Sequence, residues 1–379
     1  MRKNRYLSAF TLGACGVLLT SAGAAAATRA PALSGPAAHA PATATSHGAK
    51  VFLTAYQDNE GAGATVVLSG AIGDFGEAAS VNPNGSLNPQ HTSQLNLALT
   101  RGSFRIAFGP LHRELQIAEN HTPFNPKTCS GHVSVTGQAP IVAGSGAGSY
   151  QGITGGFTLT IAVNETGIQP CQPWQAHTVA AEEVLIAGPG TVSLTGGAVA
   201  GAPTTAAVTA GAPAPAATAP GSGTVYLTIY HDSDLPGLAA VLSGAIGDLG
   251  EAAIVTPRGT VTPDGTQAKL TLAHGSFRVA IGPLKQAFQH AAAHAPFSLK
   301  TCSGHATATG TVPVIPGSGT GAYKGITGGF TLTITGNEVL FPPCQRFQGS
   351  GPAAAGEAAY ATGPGNISVP HAAPNPQTP

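Results

Sequence analysis

Charge is what this chain has least of: only 8% of its 379 residues are Asp, Glu, Lys or Arg, 16 basic against 16 acidic. No net field gathers phosphates or anionic lipid, so the composition argues against a nucleic-acid partner. Methionine occurs once, at Met1, and the usual axial ligand of a blue-copper site is therefore missing. Long helix-forming runs are scarce. Beyond the first 20 residues no stretch has the roughly 18 uninterrupted apolar residues that a membrane-crossing helix requires. Gly-x-Ser-x-Gly elbows, Walker loops and His-Glu-x-x-His zinc helices do not occur, and no cofactor is called for. The glycine-rich stretches 144–148 and 317–321 lack dinucleotide spacing and lead into strands, which removes the phosphate-binding reading.

What is abundant is glycine (52) and proline (31), the composition of an all-β chain with many turns. The chain is also duplicated. Gly144-Ser-Gly-Ala-Gly-Ser-Tyr150-Gln-Gly-Ile153-Thr-Gly-Gly-Phe157-Thr-Leu-Thr-Ile161 returns as residues 317–334 with three changes in eighteen positions. Leu68-Ser-Gly-Ala-Ile-Gly-Asp74 returns unchanged as 242–248, an offset of 174 that becomes 173 by Ser276-Phe-Arg278, so one turn residue is missing from the second copy. Residues 1–27 read as a secretory signal: Arg2, Lys3 and Arg5, an apolar run, then an Ala-x-Ala cleavage site. Ala, Pro, Thr and Gly without periodicity mark a spacer over 28–49, a flexible linker over 198–223 and a tail over 370–379. The two copies fill 50–197 and 224–369. Each shows about eight short alternating segments, in the first copy near 51–56, 64–70, 76–81, 94–100, 103–108, 131–137, 157–163 and 178–187. The expected fold is two tandem antiparallel β-barrels, closure removing the unpaired edges an exported monomer would expose.

Cys15 leaves with the signal. Cys129 and Cys171 stand 42 apart, as do Cys302 and Cys344, and duplication with equal spacing pairs them as two disulfides. Each would stabilise its copy by roughly 4 kcal/mol in the chain-entropy model, and an oxidising compartment outside the cytoplasm agrees. The metal alternative gathers His121, Cys129, His132 and Cys171 as a zinc set, on the Cys-x-x-His pairs Cys129/His132 and Cys302/His305. Among polar residues present in both copies, Asp74 and Asp248 suit turns that bond their own backbone, and Tyr150 and Tyr323 suit barrel ends. Those four are also the ligand-binding candidates. Candidate acid–base and carboxylate-binding groups are Glu77, Arg105 and His121, with Glu251, Arg278 and His294. Arg105 points to solvent if Phe104 and Ile106 face the core, and into the barrel if they pack on another subunit.

The Gly-x-Gly-x-Tyr-x-Gly-Ile-Thr-Gly turn entering an alternating strand, with Thr-Cys before it, resembles the allene oxide cyclase and dirigent type of barrel, in particular its uncharacterised secreted actinobacterial versions. The resemblance implies an eight-stranded antiparallel barrel, sometimes trimeric, whose plant members act on or orient apolar and phenolic substrates. The plant enzymes' catalytic residues find no matching positions in this chain. The leading expectation is a secreted or wall-associated two-barrel protein that binds a small apolar ligand or a cell-envelope component. An isomerase or cyclase working inside each barrel, and a structural surface protein, are the alternatives.

Overall fold

The computed structural model describes residues 48–57, 64–88, 93–122, 124–167, 179–194, 222–231, 238–340, 344 and 354–370. The stretches read as signal (1–27), spacer (to residue 47), linker (198–221) and tail (from 371) lie outside these residues.

The described residues build two antiparallel sheets of nine strands each, curled into two tandem barrels. The first contains β1 (Ala49–Gln57), β2 (Ala64–Gly70), β3 (Asp74–Val81), β4 (Gln94–Leu99), β5 (Gly102–Ala107), β6 (Ser130–Pro140), the two-residue β7 (Ala147–Gly148), β8 (Ile153–Gly167) and β9 (Val179–Leu194). Its strand order is β6-β8-β9-β1-β2-β3-β4-β5-β7. The chain between β6 and β7 turns the edges toward each other: Val142 N donates to Arg105 O at 2.8 Å, Arg105 N to Ser145 Oγ at 2.9 Å and Ser149 N to Arg101 O at 2.9 Å. This is the repeated glycine-rich stretch. Gly148 sits at φ 62°, and a Cβ there would lie 2.6 Å from Arg101 O, so only glycine lets the turn close the barrel.

The second barrel repeats the plan with β10 (Ser222–His231), β11 (Leu238–Gly244), β12 (Asp248–Val255), β13 (Gln267–Leu272), β14 (Gly275–Ala280), β15 (Phe297–Ser298), β16 (Ser303–Pro313), β17 (Thr327–Leu340) and β18 (Ala354–Ser368). β10 begins inside the stretch read as linker. The same closure recurs, Ile315 N donating to Arg278 O at 2.8 Å and Arg278 N to Ser318 Oγ at 2.9 Å.

Alternation along the strands decides what is inside. Leu53, Leu68, Leu97, Phe104, Phe157 and Leu159 are fully buried in the first barrel and belong to one continuous cluster. Side chains fill the barrel, as expected for eight long strands. Because Phe104 and Ile106 face this core, Arg105 lies on the outer face, which settles its direction against the inward alternative.

Each barrel also contains a helix that strand periodicity did not anticipate: α1 (Gly109–His121) and α2 (Gly282–His294). Both start at Gly-Pro, where a proline in the first turn is pre-set for helix. α1 buries Leu111, Leu115 and Glu119, a stripe of three at a spacing of four packed against β6. Two strong apolar residues and a glutamate make a faint pattern, which is why the sequence shows it poorly.

Candidate functional site

Asp74 opens β3 and is almost completely buried. Its Oδ1 accepts from Phe75 N (2.9 Å) and the Thr100 hydroxyl; its Oδ2 accepts from Arg101 N (3.2 Å), Arg101 Nε (3.3 Å) and the Tyr150 hydroxyl (2.5 Å). Burial alone would raise its pKa. The hydrogen bonds from Thr100, Tyr150 and Phe75 N and the charge of Arg101 outweigh burial and hold the carboxyl below its ordinary value. Burial, together with the Asp74 bond, pushes the Tyr150 phenol up. Asp248 repeats the arrangement with Leu249 N (2.9 Å), His274 N (3.2 Å) and Tyr323 Oη (2.5 Å). These four ligand-binding candidates therefore bond each other in two pairs, Asp74 with Tyr150 and Asp248 with Tyr323. They clamp β3 and β12 to the glycine-rich turns.

The acid–base candidates are not brought together. Glu77 and Glu251 are exposed, on the face opposite the core. Arg105 Nη1 donates to Pro83 O (2.5 Å) and Gln94 Oε1 (3.0 Å), and Arg278 Nη1 to Pro257 O (2.8 Å) and Gln267 Oε1 (3.1 Å), tying down neighbouring turns. Glu77 pairs in register with Ala98 of β4, so β4 separates it from β5 and Arg105, roughly 10 Å across two strand spacings. His121 and His294 end α1 and α2, exposed, each ring Nδ1 bonded to the carbonyl one turn back (2.7 Å to Ile117 O; 2.8 Å to His290 O).

The cysteine motifs serve a different site. Cys302 is bonded to Cys344 with Cα atoms 4.9 Å apart. Cys129 is likewise disulfide-bonded, and Cys171 lies outside the described residues. Cys129 and Cys302 hold φ 49° and 51°, the left-handed region that a non-glycine residue enters at a cost of about 1 kcal/mol or more. That kink sends the flanking Thr and Ser hydroxyls the same way, onto the other barrel. Thr128 Oγ1 donates to Gly244 O (2.7 Å) while Gly244 N donates to Ser130 Oγ (3.0 Å). Reciprocally, Thr301 Oγ1 donates to Gly70 O (2.6 Å) and Gly70 N donates to Ser303 Oγ (3.0 Å). The two repeated motifs, Thr-Cys-Ser-Gly-His and Leu-Ser-Gly-Ala-Ile-Gly-Asp, grip each other twice.

His132 and His305 belong to the same face. His132 stacks on Tyr226 with ring centroids 3.7 Å apart, and His305 on Phe52 at 3.4 Å. His132 Nδ1 lies 2.8 Å from Asn164 Oδ1, which also accepts from Ser243 Oγ at 2.9 Å; Asn337 Nδ2 donates to Val67 O at 2.9 Å. Burial pushes both imidazoles down to about 4. The described members of the zinc alternative thus part company, with His121 on a helix end, Cys129 in a disulfide and His132 between the barrels.

Three glutamates gather in the first barrel alone. Glu165 continues the inward alternation of Phe157, Leu159, Ile161 and Val163, and its cross-strand partner is Glu182 on β9. Glu119 reaches them from α1. It is nine-tenths buried, and its Oε2 has no hydrogen-bond partner among the described residues. Burial, then the charges of Glu182 and Glu165, raise the Glu119 pKa to about 8; burial and Glu165 raise Glu182 to about 8. Glu182 was visible in the sequence through its repeat partner Glu357. Glu119 and Glu165 were missed, although each occupies a core position in its element's pattern. In the second barrel Ala292 stands at the Glu119 position.

No protein-family model, no curated protein and no solved structure matches this chain.

Proposed function

We propose that this is an exported, non-catalytic two-barrel protein that binds a cell-envelope component across its outer surface. The observation that carries this reading is the use to which the duplicated polar residues are put. Asp74, Tyr150 and their copies clamp the barrels, the Thr-Cys-Ser turns and His132 and His305 dock them, and Arg105 and Arg278 pin turns. A small apolar ligand is the weaker choice of partner, because core side chains fill both barrels. The likeness to allene oxide cyclase and dirigent barrels enters this reading for architecture alone. Co-sedimentation with an isolated cell-wall fraction and with vesicles of extracted lipid tests it. Retention on either supports the proposal, and a chain that stays in solution with both overturns it.

A second reading rests on Glu119, Glu165 and Glu182. A carboxyl that keeps its proton near neutral pH could serve as a general acid, and only the first barrel would be active. Turnover of apolar epoxides or phenols that disappears in Glu119→Gln would carry it; no turnover by the native chain removes it.

A further inference from the structure

α2 ends in His290-Ala-Ala-Ala-His294, two histidines one turn apart on the exposed face. Their rings lie side by side with centroids 4.2 Å apart and an interplanar angle of 28°, so a shared ion requires these exposed side chains to turn out of the stack. His294 Nδ1 donates to His290 O at 2.8 Å, which in the neutral ring leaves Nε2 as the nitrogen able to accept a metal ion. A ligating histidine characteristically has its other ring nitrogen bonded in this way. Two histidines at this spacing on one helix face also supply two of the protein ligands of helical zinc sites. Further, the pair stands in the last helical turn, where unpaired carbonyls favour a cation.

We propose that His290 and His294 form a surface site for a late first-row divalent metal ion, Cu²⁺, Ni²⁺ or Zn²⁺, with water completing the coordination. Imidazole nitrogens suit these ions, and Cu²⁺ should bind tightest of the three. The site belongs to the second barrel only. In the first, His121 makes the same bond one turn back, but the residue there is Ile117 and no second ring is present. Duplication therefore supplies an internal control.

The probe is aqueous Cu²⁺ titrated into the full-length exported chain, followed by calorimetry and by the nitrogen hyperfine pattern in electron paramagnetic resonance. The native chain should take up one Cu²⁺ with two equivalent nitrogens. His290→Ala and His294→Ala should each weaken uptake by about tenfold or more, since a chelate loses its second arm. Ile117→His should add a second site of similar strength in the first barrel. Uptake should weaken in acid, because both rings must be neutral to bind. A native chain that binds Cu²⁺ no more tightly than either single variant overturns the proposal, as does a two-nitrogen signal that survives replacement of both residues. Each of these side chains is exposed, so unchanged far-ultraviolet circular dichroism will separate a lost ligand from a lost fold.

Discussion

At the scale of single residues, most buried polarity in this protein has a named partner, which makes its removal costly. Asp74 accepts from five donors on β3, the β4–β5 turn and the glycine-rich turn, and an amide in its place would meet some of those donors with another donor. Asp74→Asn should lower the unfolding free energy of the first barrel by about 3 kcal/mol, the range for breaking a buried charged network. Tyr150→Phe, which leaves one carboxylate oxygen with its Arg101 bonds, should cost about 1–2 kcal/mol. Urea midpoints measure both, and an unchanged midpoint for Asp74→Asn would contradict the clamp. Gly247 tests the docking face instead. A Cβ there would lie 2.0 Å from Thr128 O of the other barrel, with nothing of its own barrel closer. Gly247→Ala should leave the second barrel folded and push the two barrels apart, read as a larger radius of gyration with unchanged circular dichroism.

At the scale of elements, strands were legible and their partners across the chain were not. Phe104-Arg-Ile106 and Leu95-Asn-Leu97 announce a buried and an exposed face by alternation alone, and both faces fall as the pattern requires. The helices left weaker marks because each needs only a narrow stripe against β6 or β16. Repeat comparison could not tell a residue kept for chemistry from one kept for docking. Thr128 and Ser130 lie 116 and 114 residues from Gly244, and nothing local says that they meet it. The same elements carry opposing responses to pH. Glu119 and Glu182, on α1 and β9, have folded pKa values near 8 against ordinary values near 4.5. The folded state therefore holds protons that the unfolded state releases; this stability is full below about 4.5 and lost as pH rises through 8. His132 and His305, on β6 and β16, are depressed to about 4 from 6.5. Their contribution is full above about 6.5 and lost as pH falls through 4. Thermal unfolding of the whole chain should accordingly be most favourable to the fold in weak acid, and Glu119→Gln should flatten the alkaline limb alone. An alkaline limb that keeps its slope in that variant would show that Glu119 is not the proton holder.

At the scale of the whole molecule, the chain is built like a homodimer on one polypeptide. β1 and β2 meet β16 and β17, while β10 and β11 meet β6 and β8, so each barrel offers the same two surfaces and receives the same two. That reciprocity is the signature of an isologous interface, in which every contact is made twice about a two-fold axis. Two aromatic–histidine stacks, two Thr-Ser grips on a glycine and an apolar patch of Val67 with Val339 and Ala358 cover it. A covalent link adds effective concentration but no contact. If the face itself holds the barrels, cutting the chain at a protease site placed within residues 195–221 should leave both halves co-eluting as one species at micromolar concentration. Halves that separate would mean that the link, and not the face, keeps them together. The disulfides should then matter to docking more than to either core. Cys129 and Cys302 sit in a left-handed conformation between the two gripping hydroxyls, and a released cysteine can relax out of it. Reduction of the cleaved protein should therefore dissociate the halves while each keeps its β-sheet spectrum. Halves that stay joined after reduction would assign the grip to the stacked histidines and the apolar patch, with the cysteine turns as passengers.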